Sequence, residues 1–281
     1  DLDAAANYIA QELAALGLQP AGPEVEGALS FFVPVSHDYY RLTAKPLLEL
    51  RDRSGQPLRE LIYRQDYAEV VDGVGYVEPV SAEIVCFGMH AGGEAWPENM
   101  EGSTSEMVGK VILATSGWFP WRLSGLDFQA VLVVASNDEY LTHREISTHL
   151  YHSRVGVSGI RRNAFLYVSP ETADTILRQG GYSLEQVRER QSRLQKDEGF
   201  LLHTGVDATL RMEPSDVITS KLRYVQAFIP GQDEFLDSEL VIIQAHYDGL
   251  GRDFDGTLYP GANKNASGVA VMLEVARLLQ E

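Results

Sequence analysis

A single cysteine, Cys86, stands in this chain of 281 residues. One thiol excludes an intrachain disulfide and any cysteine-rich zinc site. It falls within Ala82-Glu83-Ile84-Val85-Cys86-Phe87-Gly88, which reads as a strand, so packing rather than reactivity is expected of it. Long apolar runs are lacking too, and nothing approaches the roughly eighteen residues that a membrane span needs. Basic residues are scarce: 23 stand against 40 acidic ones, for a net charge of −17. Polyanions need a basic face, so neither nucleic acid nor a membrane surface is expected as a partner. The chain opens on Asp1-Leu2-Asp3, with no methionine and no signal-peptide pattern. A processed or trimmed N-terminus accounts for that, and the compartment cannot be read from this end. A soluble chain is expected, without repeats or low-complexity segments. Its 44% hydrophobic and 22% charged residues are those of a folded protein rather than a disordered one. The length exceeds what one core usually serves, so two domains are expected.

The last forty residues carry most of the information. Leu240-Val241-Ile242-Ile243-Gln244-Ala245 is a continuous apolar run, which predicts a strand buried on both faces of a parallel sheet. It delivers His246-Tyr247-Asp248 at the carboxyl end, where open α/β sheets gather their ligands. A glycine-rich loop follows, and Pro260-Gly261-Ala262-Asn263-Lys264-Asn265-Ala266-Ser267-Gly268 opens a helix. Val269, Met272, Leu273, Ala276 and Leu279 recur at helical spacing, so the helix should pack back on the sheet. That layout places His-x-Asp and the helix mouth in one crevice.

These residues resemble the zinc-dependent exopeptidases of the aminopeptidase and glutamate carboxypeptidase II type. In that family a strand ends in His-x-Asp, and a Gly-Ala-(Asn/Asp)-Asp-Asn-Ala-Ser-Gly stretch follows a short loop later. The resemblance implies that His246 is a zinc ligand and that Asp248 is the carboxylate that orients it. The family's Asp that bridges two zinc ions is here Lys264. An ammonium has no lone pair to give, and it adds positive charge between two dications. Three readings of Lys264 stay open: an altered site where it reaches solvent, an ammonium in the vacated metal position beside Asp248, and a carbamate acting as bridge. The family polypeptide continues past this helix, and its remainder supplies the catalytic Glu, a neighbouring Glu ligand, an Asp ligand and a His ligand. Glu274 belongs to the helix pattern and is not recruited as the base. The expectation is therefore a truncated or inactive exopeptidase-like chain: the family holds two zinc ions, and this chain should hold none tightly.

Upstream, Leu2, Ala6, Ile9, Leu13 and Leu16 form a helical stripe that Gly17 should cap. The phrase Tyr8-Ile9 … Leu13 … Gly17-Leu18-Gln19-Pro20 resembles the first helix of the same exopeptidases. Phe31–Val35 and Leu47–Leu50 read as early strands, Pro34 confining the first to an edge or bulge. Further strands are predicted at 80–87, 110–114, 130–135, 164–168 and 208–212, and charged helices within 171–198. Gly109-Lys110-Val111-Ile112-Leu113, followed by Gln129-Ala130-Val131-Leu132-Val133-Val134, resembles a protease-associated domain, a module the family carries as an insertion. Tyr224–Gly231 resembles the strand and Pro-Gly turn that precede the His-x-Asp strand, which predicts an antiparallel pair and hence a mixed sheet.

The fold class expected is α/β: a mixed-sheet zinc-exopeptidase domain from 1–66 and 217–281, incomplete on its C-terminal side. Residues 67–216 would be an inserted, β-rich, protease-associated-like domain. The partners expected are a peptide or protein ligand, and a second copy or a complementing chain. Two other function classes compete with the enzyme: a peptide-binding protein using the insert, and one piece of an enzyme completed elsewhere. Weaker constellations are His143, His149 and His152, which lack a carboxylate pattern such as His-Glu-x-x-His, and Val155-Gly156-Val157-Ser158-Gly159, which lacks nucleophile-elbow spacing. Trp118-Phe119-Pro120-Trp121 reads as packing, or less readily as a peptide-binding face.

Overall fold

The structure is a computed structural model. It describes residues 2–69, 79–90, 97–115, 127–136, 150–152, 164–213, 218–233, 236, 239–249, 251–252 and 256–280. In chain order, helix α1 (Leu2–Ala15) leads into strands β1 (Gln19–Pro20), β2 (Glu24–Val25), β3 (Ala28–Leu29) and β4 (Phe32–Arg41). Then come β5 (Leu47–Asp52), β6 (Tyr67–Glu69), β7 (Val80–Met89), β8 (Asn99–Glu101), β9 (Val111–Ala114), β10 (Ala130–Val134), β11 (Leu150–His152) and β12 (Ala164–Val168). Helices α2 (Pro170–Gln179) and α3 (Leu184–Ser192) precede β13 (Glu198–Arg211), β14 (Ile218–Val225) and β15 (Ala227–Phe228). Strands β16 (Gly251–Arg252) and β17 (Leu258–Tyr259) and helix α4 (Ser267–Leu279) come last.

The chain divides into two compact units, Asp1–Tyr39 with Ile218–Glu281 (the outer unit) and Tyr40–Val217 (the central unit). Residues 40–66, expected with the outer part, lie in the central one. The cause is β5, whose backbone pairs antiparallel with β13 from Leu47↔Arg211 to Asp52↔Val206.

The central unit is α/β with a mixed sheet. Its strand order is β5-β13-β7-β9-β10-β12-β6, with β8 also on β13. Strands β7, β9, β10 and β12 run parallel; β13 runs antiparallel to β5 and β7 and parallel to β8, and β6 runs antiparallel to β12. Every residue of β9 and β10 is buried, as continuous apolar runs require in strands covered on both faces. Val85, Phe87, Ile112, Val131 and Val133 form the core of this sheet. Gly88 is opposite Phe200, and a Cβ there would stand 2.2 Å from the ring's Cζ, so the ring lies on bare backbone. Ser169 caps α2 by accepting from the Thr172 amide at 3.0 Å, with Pro170 opening the helix. Strand β13 begins at Glu198, ten residues before the stretch predicted from sequence, and its register against β7 shifts between His203 and Asp207.

In the outer unit, β4 pairs antiparallel with β14 from Phe32↔Val225 to Tyr39↔Ile218. Helix α1 buries Ala6, Ile9, Ala10 and Leu13. It ends as predicted: Gly17 takes φ 81°, the Leu18 amide donates to the Leu13 carbonyl at 3.1 Å and the Gly17 amide to Ala14 at 2.9 Å. Ile9, Leu13, Leu18, Val269 and Ala276 make the core, with Val225, Ala227, Ile229, Ala245 and Tyr247 packed on it. The strand predicted at Leu240–Ala245 is not formed: residues 239–249 carry no regular structure. Strand pairing needs a neighbour, and no strand among the described residues lies against this run.

Candidate metal centre

The His-x-Asp segment is held from one side. Ala245 and Tyr247 pack against the core of the outer unit, and the Tyr247 hydroxyl donates to the Arg223 carbonyl. Burial pushes the Tyr247 phenol above its ordinary range, Asp248 and Asp3 adding to the effect and the Arg223 guanidinium opposing it. Exposure alternates along this stretch, with Ala245 and Tyr247 half-buried between exposed neighbours. His246 and Asp248 are both exposed. Tyr247 is thus the residue that positions the pair, a role the motif alone did not reveal; the alternation of Ala245, Tyr247 and their polar neighbours was the available signal.

The helix mouth sits beside this segment. Gly261 takes φ 71°, a single π-type turn spans Ala262–Ala266, and the Ser267 hydroxyl donates to the Asn263 carbonyl. Only glycine adopts that backbone freely, so Gly261 sets the direction in which the turn enters α4. A Cβ built on Gly268 would lie 3.7 Å from the Ala245 Cβ, ordinary contact distance. The first turn of α4 therefore meets the residue just before His246, and the predicted neighbourhood of His-x-Asp and helix mouth is present in the backbone. Lys264 lies within the turn Ala262–Ala266.

The donors present do not fit a two-zinc centre. A catalytic zinc takes three protein ligands, and a dinuclear centre needs a shared carboxylate besides. Among the described residues no three His, Cys, Asp or Glu side chains gather in a metal-holding group. His246 and Asp248 are two groups, and residue 264 is a lysine, which offers no lone pair to a metal.

Residues 225–281 match the model of peptidase family M28. M28 peptidases are generally zinc-dependent. Among solved structures, the chain resembles a Peptidase M28 precursor from Shewanella amazonensis SB2B at 13% identity and a TM-score of 0.34. The likeness covers 79% of this chain and 44% of that one, so the chain spans less than half of that protein's length. No curated protein matches significantly.

The M28 match contains His246, Asp248 and Lys264, and it leaves the competing constellations outside. His143, His149, Ser158 and the 118–121 aromatic segment lie outside the described residues, and of His152 only the backbone of β11 is described. Cys86 is wholly buried, and burial pushes its thiol up to about 12, so it is an inert packing residue. Glu274 is exposed on α4 and bonds Arg277 at 2.7 and 3.0 Å, which holds its carboxyl below the usual range. No helix among the described residues is long and apolar enough to cross a membrane.

Proposed function

We propose that the outer unit is the N-terminal portion of an M28-type exopeptidase domain, of aminopeptidase character, that carries a protease-associated-like module in the central unit. In this reading His246 is the one retained metal ligand, Asp248 orients it, and Lys264 replaces the bridging carboxylate. The observation that carries the reading is the M28 match over 225–281, on a segment that turns His246 and Asp248 outward beside the first turn of α4. The chemistry of the donor set argues that this chain alone does not hydrolyse peptides, because its described residues offer neither a full metal shell nor a recruited carboxylate base. The purified chain is expected to show no turnover of aminoacyl-nitroanilides with zinc or cobalt added. Chelator-sensitive turnover that disappears in His246→Ala would overturn the inactive reading.

A second reading is favoured by the exposure of Leu240, Val241, Ile242 and Ile243, at 69, 87, 73 and 50%. There the apolar run pairs with further polypeptide of a larger peptidase, which also completes the metal shell. Zinc stoichiometry separates the two: the chain alone takes up no tightly held zinc, whereas a completed M28 assembly takes up two ions.

A further inference from the structure

Away from the M28-matched segment, one imidazole ties together three elements of the central unit. His203 of β13 has Nδ1 3.3 Å from Glu83 Oε1 on β7 and Nε2 2.9 Å from Glu106 Oε2, in the 3-10 helix Thr104–Met107. Lys110, just before β9, donates to the other Glu83 oxygen at 2.7 Å. The other Glu106 oxygen accepts the Ser103 amide at 2.8 Å and completes that helix's capping box. An ionised carboxylate only accepts hydrogen bonds, and a neutral imidazole has one N–H to give. Both contacts are satisfied together only by the imidazolium.

We propose that residues 97–110 form a strap across the central sheet whose fastening is switched by the proton on His203. The strap's other ties do not titrate with it. Strand β8 pairs with β13 from Asn99↔Glu198 to Glu101↔Phe200, Asn99 donates to Asp197 at 2.5 Å, Arg190 pairs with Glu101, and Met107 is fully buried. When the imidazole loses its proton, one of its two carboxylate contacts becomes a lone pair facing a carboxylate oxygen. Whichever nitrogen keeps the remaining N–H, the charge that drew both carboxylates to the ring is gone; Glu83 still has Lys110, whereas Glu106 keeps besides the ring only its place in the helix cap, so the Glu106 edge of the strap is the part loosened. Further charged groups stand on the neighbouring elements. Arg53 lies over Gly205, its Nε 2.5 Å from where a Cβ would stand. Gly180, at the C-terminal end of α2, abuts the His203 carbonyl, and Arg178 there bonds Asp174 at 2.5 Å. Glu198 and Asp207 lie further along β13.

The titration directions agree with this geometry. Glu106 first, then Glu83, hold the imidazole above its ordinary range, against a smaller opposing effect of burial. Burial opposes ionisation of Glu83, but the bonds from Lys110 and His203 outweigh it and hold that carboxyl low. The bond from His203, then the Ser103 amide, hold Glu106 low. A raised imidazole value makes the fastening complete below the ordinary histidine range and lost as pH climbs through the raised value. The lowered carboxylates set the other edge, where fastening is lost as pH falls through their values. The strap is therefore fastened between the lowered carboxylate values and the raised imidazole value, and it loosens as pH climbs past the latter.

The test combines NMR titration of the histidines with amide exchange on the full chain. His203 is expected to titrate above ~6.5, with its midpoint falling in Glu106→Gln. After correction for intrinsic chemistry, amides of 102–109 should exchange about threefold faster or more at about pH 9 than at about pH 6, relative to β10, and His203→Gln should abolish that dependence. A His203 midpoint at or below ~6.5, or an unchanged pH dependence in His203→Gln, overturns the proposal. If His203→Gln fails to fold, Glu106→Gln and the wild-type midpoint decide the matter.

Discussion

Lys264 stands where the proposed reading puts a bridging carboxylate. It lies in the turn that leads into α4, and the first turn of a helix favours anions by about 0.3–1 kcal/mol near the surface. Lys264→Asp should therefore raise the melting temperature modestly in the absence of metal. It should leave zinc affinity weak, because His246 and one new carboxylate are still short of a zinc shell. Calorimetry with and without zinc checks both halves; tight uptake by the single variant would show that the shell is nearer completion than the described donors indicate. At this scale the sequence was legible where chemistry is local. The motif singled out His246 and Asp248, whereas the anchoring of Tyr247 on the Arg223 carbonyl was not legible, because that contact joins residues 24 positions apart.

At the scale of elements, what could be read was whatever local pattern decides alone. Helix α1 and its glycine stop were legible because Gly17 terminates the helix through backbone conformation, with nothing within 4 Å of a built Cβ. Gly17→Ala should therefore cost only the left-handed backbone penalty, about 1–2 kcal/mol, read as a shift in denaturant midpoint. No loss would mean that α1 ends equally well without the motif. Strands β9 and β10 were legible as unbroken apolar runs. The first half of β13 was not, because Glu198 to His203 follows the charged helix α3 and its partners β7 and β8 lie about a hundred residues upstream. The failure at Leu240–Ala245 runs the other way: the run is a strand by composition, but pairing is a property of neighbours, and none is formed here among the described residues.

For the whole molecule, the two-unit division makes a sharper statement than composition did. The change of texture near residue 67 marked where the short strands begin, yet β5 pairs with β13 and buries Leu48 and Leu50 to 3 and 1% exposure. Burying each leucine is worth about 1.5–3 kcal/mol. Residues 40–217 expressed alone should melt cooperatively, and residues 67–216 should melt well below them or without a transition; equal melting temperatures would remove β5 from the account. The exposed run from Leu240 to Ile243 has one more consequence, which concerns colloidal behaviour. From Leu240 to Tyr247 there is no proline, aspartate, glutamate, lysine or arginine, and Val241, Ile242 and Ile243 are strong strand formers. Such a segment is suited to template intermolecular cross-β growth, and the chain's net charge of −17 opposes the approach of copies. Salt screens that repulsion, with a Debye length falling from roughly 10 Å at about 0.1 M to roughly 3 Å at about 1 M. Light scattering should therefore rise with added salt, and Ile242→Lys should suppress the rise by placing a gatekeeper charge in the nucleating stretch.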